Sequence, residues 1–154
     1  MSLEPILQSV EKNLKEGNIK YALLDLKTAK GMPPNDFRVF YYYGRCYLEK
    51  NDYDKAVTNL KKAYEMNPLG QISYFLAMSY VRNKNWKNAV AIAEDGLEKG
   101  PSDTIKGALY YLKSGAHIEL GENEKAISSA EKAVEINPDD TDYQKHLERC
   151  KSKL

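Results

Sequence analysis

Short apolar segments separated by polar turn clusters run along the whole chain. Their key positions recur in step with three prolines: Pro68 in "MNPLG", Pro101 in "KGPSD" and Pro138 in "INPDD". Twelve residues before each proline stands an alanine, at Ala56, Ala89 and Ala126, and five before each stands Ala63, Gly96 or Ala133. Twenty-four before come Gly44, Ala77 and Ser114, all small, and twenty-one before come the rings of Tyr47, Tyr80 and His117. Small residues at matched places mark points where two helices approach closely, with a large ring filling the gap beside them. A weaker fourth copy is anchored on Pro34; it keeps Ala22, Leu26 and Ala29 but holds Asn13 at the ring position. An atypical terminal copy is what a stacked array shows, because its outer face meets water instead of a neighbour.

Each copy reads as two helices of about three to four turns. The turns between them fall at "EGN" (16–18), "KND" (50–52), "NKN" (83–85) and "LGE" (120–122). The prolines end the second helices, since proline lacks the N–H and biases the residue before it away from helix. Helix starts are expected at Asn35 or Asp36, at Ser102 or Asp103, and at Asp139 or Asp140, which carry capping side chains. No segment shows the strict alternation of a half-buried strand, so the prediction is all-α.

This pattern resembles the tetratricopeptide repeat (TPR). In that family an aromatic residue is followed by Leu-Gly, a tyrosine, an alanine, a larger residue four on, and a proline. Here the best copy is Phe40, Tyr43-Gly44, Tyr47, Ala56, Leu60 and Pro68. The next is Leu76-Ala77, Tyr80, Ala89, Ala93 and Pro101; the last is Tyr110, Ser114, His117, Ala126, Ala130 and Pro138. Departures occur at Ser73, which replaces a large ring with Tyr74 beside it, and at Lys113, which takes a leucine place. The prolines lie 33 and then 37 residues apart, and the extra residues around "PSDTIKG" are expected to lengthen the helix or loop entering the last copy.

The resemblance implies a right-handed α-solenoid of stacked antiparallel helix pairs within a single domain, 1–154. Its units are expected at 3–35, 36–69, 70–104 and 105–139, with a capping helix over 140–154 whose Tyr143 and Leu147 pack on the last copy.

The stretch "FRVFYYYGRCYLEK" places Tyr41, Tyr42 and Tyr43 in a row, and three adjacent rings cannot all face one core. Register with the family puts Tyr43 in the packing face and Tyr42 on a flank. Tyr41, Tyr74 and Tyr111 all stand 27 residues before a proline, a place that in this family faces the concave surface. The same stripe adds Arg38, Arg45 and Leu48 in the second unit, Gln71, Met78 and Val81 in the third, and Ala108, Gly115 and Ile118 in the fourth. Tyrosine offers large contact area at low rotamer cost plus one hydroxyl, and an arginine engages carboxylates, so these residues form the expected partner-binding groove. The alternative is that the rings only complete packing between adjacent first helices. The family's two-carboxylate clamp is absent: its places hold Leu7, Glu11, Tyr41, Arg45, Tyr74 and Met78.

Composition narrows the function classes. The chain has 154 residues, 42% hydrophobic and 29% charged, a globular profile. Its 23 basic and 22 acidic residues leave no basic footprint for nucleic acid and no steering toward a membrane. Glu4 and Glu11 interrupt the N-terminal segment, against a signal peptide, and no stretch is long enough to span a bilayer. Cys46 and Cys150 form no framework, so a cytoplasmic location is expected.

No phosphate-cradling glycine loop, nucleophile elbow or metalloprotease motif occurs, and no enzyme activity or cofactor is expected. His117 reads as a packed histidine. His146 and Cys150, four apart, supply only half of a zinc site, and "DDTD" at 139–142 reads as a helix start instead of a calcium loop. Two readings remain: an adaptor, scaffold or co-chaperone module that binds a segment or helix of another protein, or a structural subunit that self-associates.

Overall fold

The computed structural model describes residues 2–33 and 35–154; Met1 and the anchor of the weak first copy, Pro34, lie outside the described residues. All regular structure among the described residues is α-helix. Two compact units divide the chain, Met1–Pro68 and Leu69–Leu154. The first holds α1 (Leu3–Lys15), α2 (Ile19–Lys30), α3 (Phe37–Glu49) and α4 (Tyr53–Met66). The second holds α5 (Gly70–Arg82), α6 (Trp86–Glu98), α7 (Asp103–Glu119), α8 (Asn123–Ile136) and α9 (Thr141–Ser152).

Each helix pair is closed by the same turn. Gly17, Asn51, Lys84 and Gly121 all have positive φ (75°, 60°, 58° and 75°), and each stands 17 residues before a proline of the repeat. The left-handed residue lets its own N–H bond the carbonyl three back, as Gly17 does to Leu14 at 3.1 Å and Lys84 to Val81 at 3.0 Å. The following N–H bonds the carbonyl five back, at 2.8–2.9 Å for Asn18, Asp52, Asn85 and Glu122. This is the Schellman arrangement, which satisfies carbonyls that a helix end leaves orphaned. Glycine adopts it freely and asparagine tolerates it; at Lys84 the left-handed backbone costs about 1–2 kcal/mol, which the turn's two hydrogen bonds offset.

Starts are set by side-chain caps. Asp36 accepts from the Arg38 amide at 2.8 Å, Ser102 from Ile105 at 3.4 Å and Asp140 from Tyr143 at 3.0 Å. The insertion in the last copy is absorbed as helix: α7 has 17 residues where α3 and α5 have 13.

The small residues lie where helices touch. In the first unit a Cβ on Gly44 would collide with the Leu60 side chain, which is fully buried. In the second, a Cβ on Gly96 would collide with Ser73, and one on Gly107 would meet Asn137 and the Tyr143 ring. Ser73 thus departs from the repeat pattern for a packing reason: a large ring could not fit against α6 at Gly96. Its hydroxyl is satisfied by donating to the Gly70 carbonyl at 2.6 Å. The first unit's core gathers Leu7, Val10, Leu26, Val39 and Cys46; the second has clusters around Leu109 with Ala77 and Ala93, and around Cys150 with Ala126 and Ala130.

Candidate functional site

In the second unit, α5, α7 and α9 line an open trough. Tyr74 and Met78 from α5, Ala108, Tyr111 and Leu112 from α7, and Asp142 and Tyr143 from α9 border a cleft of about 370 Å³. Val81, Tyr111 and Leu112 also border an adjoining cleft of about 450 Å³, with Gly115, Ile118, His146 and Arg149. Gly115 opens this second stretch, since nothing lies within 4 Å of where its Cβ would be. Tyr111 sits at the join. Its ring stacks on Tyr143, centroids 5.3 Å apart, and meets the His146 ring edge-on at 4.9 Å. Tyr74, Met78 and Tyr111 are half-buried, so each anchors in the protein while keeping a free face. Burial pushes the Tyr74 and Tyr143 hydroxyls upward in pKa, which keeps both as neutral donors. Gln71 is exposed at the start of α5 and does not border these clefts.

The first unit corrects two expectations. Leu48, expected in the groove wall, is only 2% exposed and belongs to the packed interior. Tyr41, assigned to the same surface, is 7% exposed, and burial pushes its hydroxyl up to about 12. The Arg45 guanidinium lies 5.6 Å from the Tyr41 ring centre, within cation–π range. Arg38 is already occupied: it bonds Asp36 at 2.9–3.2 Å and Glu4 at 3.0 Å, and the hydrogen bond to Arg38 holds the Asp36 carboxyl below its ordinary value. Tyr43 packs against the core cluster but stays half-buried, stacked on Tyr47 at 6.2 Å; Tyr42 packs beside it. Within the triplet, Tyr41 is therefore the most buried ring, while Tyr43 keeps the expected contact with the core.

Residues from α9 were missed as trough wall. Tyr143 and Leu147 pack as the sequence suggested, but His146 and Arg149 also border the open cleft. Beneath them His146 Nε2 lies 2.8 Å from Ser114 Oγ, and Ser114 donates to the Ala126 carbonyl at 2.6 Å. Because the serine proton is used there, His146 must donate from Nε2, leaving Nδ1 to accept from Arg149 at 3.4 Å. Cys150 Sγ completes the cluster, 3.4 Å from His146 Nε2. His146 and Cys150 thus join α9 to α7 through Ser114.

Burial, then the Arg149 charge, lower the His146 pKa from its ordinary 6.5. The folded state therefore favours the neutral ring. Above 6.5 both states are neutral and the site adds no pH dependence; as pH falls below 6.5 the unfolded chain takes up a proton first, and stability declines until the folded value is passed. Urea midpoints measured from pH 8 to 5 are expected to fall over this window in the natural chain and to flatten in His146→Gln. An equal slope in both would move the titration to another group.

Among the described residues no helix is long and apolar enough to cross a membrane. The tetratricopeptide repeat pattern matches residues 14–70 and 44–104 in one form and 107–140 in another. Serine/threonine-protein phosphatase 5 of Rattus norvegicus is 28% identical over 105 residues, which is 68% of this chain and 20% of that protein. Superkiller complex protein 3 of Homo sapiens is 30% identical over 128 residues, 79% of this chain and 8% of that one. The chain thus spans a fifth or less of these relatives. Among solved structures, MamA 41-end from Desulfovibrio magneticus RS-1 superposes with a TM-score of 0.86 at 26% identity, covering 98% of this chain and 84% of that one. TTC0263 of Thermus thermophilus, a thermophilic TPR protein, has a TM-score of 0.77 at 18% identity, covers 99% and 82%, and shares the fold. With the repeat register, the helix pairs and these matches in agreement, the chain belongs to the tetratricopeptide repeat family, whose fold is that of a protein–protein interaction module.

Proposed function

We propose that the chain is a non-enzymatic adaptor or scaffold module of the cytoplasm that binds an extended segment or helix of a partner protein in the α5–α7–α9 trough. The observation that carries this reading is the open run of half-buried Tyr74, Met78 and Tyr111, continued by Val81, Leu112 and Ile118. Contiguous apolar and tyrosine surface on a rigid helical frame supplies contact area without ordering cost. In the first unit Tyr41 and Leu48 are buried and Arg38 is paired, so they offer no comparable open surface.

The test captures partners from native lysate and then measures the purified partner's affinity. Tyr74→Ala is expected to cost about 2 kcal/mol of binding if the ring is a hot spot. Met78→Glu places a charge on the trough floor and is expected to abolish capture. Both variants should keep the natural helical signal. Unchanged affinity in both would place the binding surface elsewhere, on the second helices first.

A further inference from the structure

Two departures from the repeat pattern remain unexplained by the trough. Lys113 and His117 stand where the two preceding copies have Tyr43 and Tyr47, then Leu76 and Tyr80. Four apart on α7, they form the floor of a separate cleft of about 340 Å³ between α6 and α8. A lysine and an imidazole in place of an apolar pair leave this space polar and only partly filled.

The bonding around the cleft is incomplete. His117 is 5% exposed, and its Nδ1 is buried with no hydrogen bond. Glu122 Oε1 lies 3.5 Å from it, an ion-pair contact for a protonated ring but outside good hydrogen-bond geometry. Buried polar atoms are nearly always partnered, so an orphan at the floor of a cleft marks a place for a bound group.

The lining also holds more donors than acceptors. Lys87 enters from α6, Lys113 and His117 from α7, and Lys125 and Ser129 from α8, against the carboxylates of Glu94 and Glu122. Lys113 meets Glu94 at 3.2 Å and Lys125 meets Glu122 at 2.7 Å. Glu94 is 53% exposed and Lys125 is 68% exposed. Each pair has one well-exposed partner, so solvent screens it and it contributes little. Leaving His117 aside, three lysines against two glutamates make the cleft net positive.

We propose that this cleft between α6, α7 and α8 binds a phosphate group, either inorganic phosphate or the phosphorylated side chain of a partner. A phosphate monoester brings three strong acceptor oxygens and close to two negative charges, which match converging ammonium, imidazole and hydroxyl donors. It would give His117 a better-placed acceptor than Glu122 offers at 3.5 Å. The site is independent of the trough.

The experiment follows backbone amides of α7 and α8 in the isotope-labelled full chain by NMR. The chain is titrated with sodium phosphate and, at matched ionic strength, with sodium chloride. A saturable shift around Lys113, His117 and Ser129 is expected with phosphate alone. Lys125→Gln, which leaves the interior untouched, should weaken the response at least threefold. Lys113→Leu with His117→Tyr, which restores the residues of the preceding copy, should weaken it at least tenfold. A phosphoserine peptide that binds at least tenfold more tightly than inorganic phosphate assigns the site to a phosphorylated partner; equal affinity assigns it to the free anion. A response that chloride reproduces, or one unchanged in Lys125→Gln and in the double variant, overturns the proposal.

Discussion

Gly96→Ala is expected to destabilise the unit Leu69–Leu154 by about 2 kcal/mol. The added methyl would collide with Ser73 and press on Leu109, and both of those side chains are fully buried. Overpacking of this kind costs about 1–3 kcal/mol, and the better helix propensity of alanine returns about 1 at most. The clash predicts its own rescue. In a Ser73→Gly background the same methyl has room, so a double-mutant cycle should show a coupling of about 2 kcal/mol. A Gly96→Ala protein with the natural urea midpoint would mean that α5 and α6 do not approach as closely as the structure has them.

Removing α9 by ending the chain at Asp140 is the second large effect. The helix covers Tyr111 with Tyr143 and His146, and it contributes Cys150, fully buried, and Leu147 to the cluster with Ala126 and Ala130. Burying large apolar side chains stabilises by about 1.5–3 kcal/mol each, so losing Tyr143, Leu147 and Cys150 together is expected to cost at least about 3 kcal/mol. The bared faces of α7 and α8 should also associate. Sedimentation would then show oligomers, and the urea midpoint would drop. A shortened chain that stays monomeric and equally stable would make α9 a loosely attached extension. Leu147→Asp in the full chain gives the same contrast without deleting a segment.

The parts of this fold that were legible in the sequence are those where few residue types fit. Gly44 and Gly96 sit where a neighbouring helix's side chain fills the space a Cβ would need, and the alanines are fully buried, so their smallness reports the crossing points directly. Asp36, Ser102 and Asp140 report helix starts because each closes an orphan amide. Lys84 is the counterexample. It adopts the left-handed turn that Gly17 and Gly121 adopt, yet lysine carries no sign of it, and only its place in the repeat gives it away.

The candidate site was less legible. Counting back from the prolines finds the helix face on which Tyr41, Tyr74 and Tyr111 lie, but not how closely neighbouring side chains crowd each ring. Tyr41 and Leu48 are consequently buried, whereas Tyr74 and Tyr111 border open space. The trough wall from α9 was missed for a different reason: a single terminal helix has no second copy to set its register, so only its apolar face, Tyr143 and Leu147, could be read.

The four-fold turn carries a kinetic consequence. Its bonds span three and five residues, so each helix hairpin closes its own connection without help from distant chain. Closing so short a loop takes far less time than assembling a strand pairing across a whole domain. Any of the four hairpins is therefore able to start folding, and growth proceeds by adding a neighbour to whichever formed first. In a chain so built, slowing one hairpin is expected to divert the flux through another, buffering the overall folding rate against damage at any single turn.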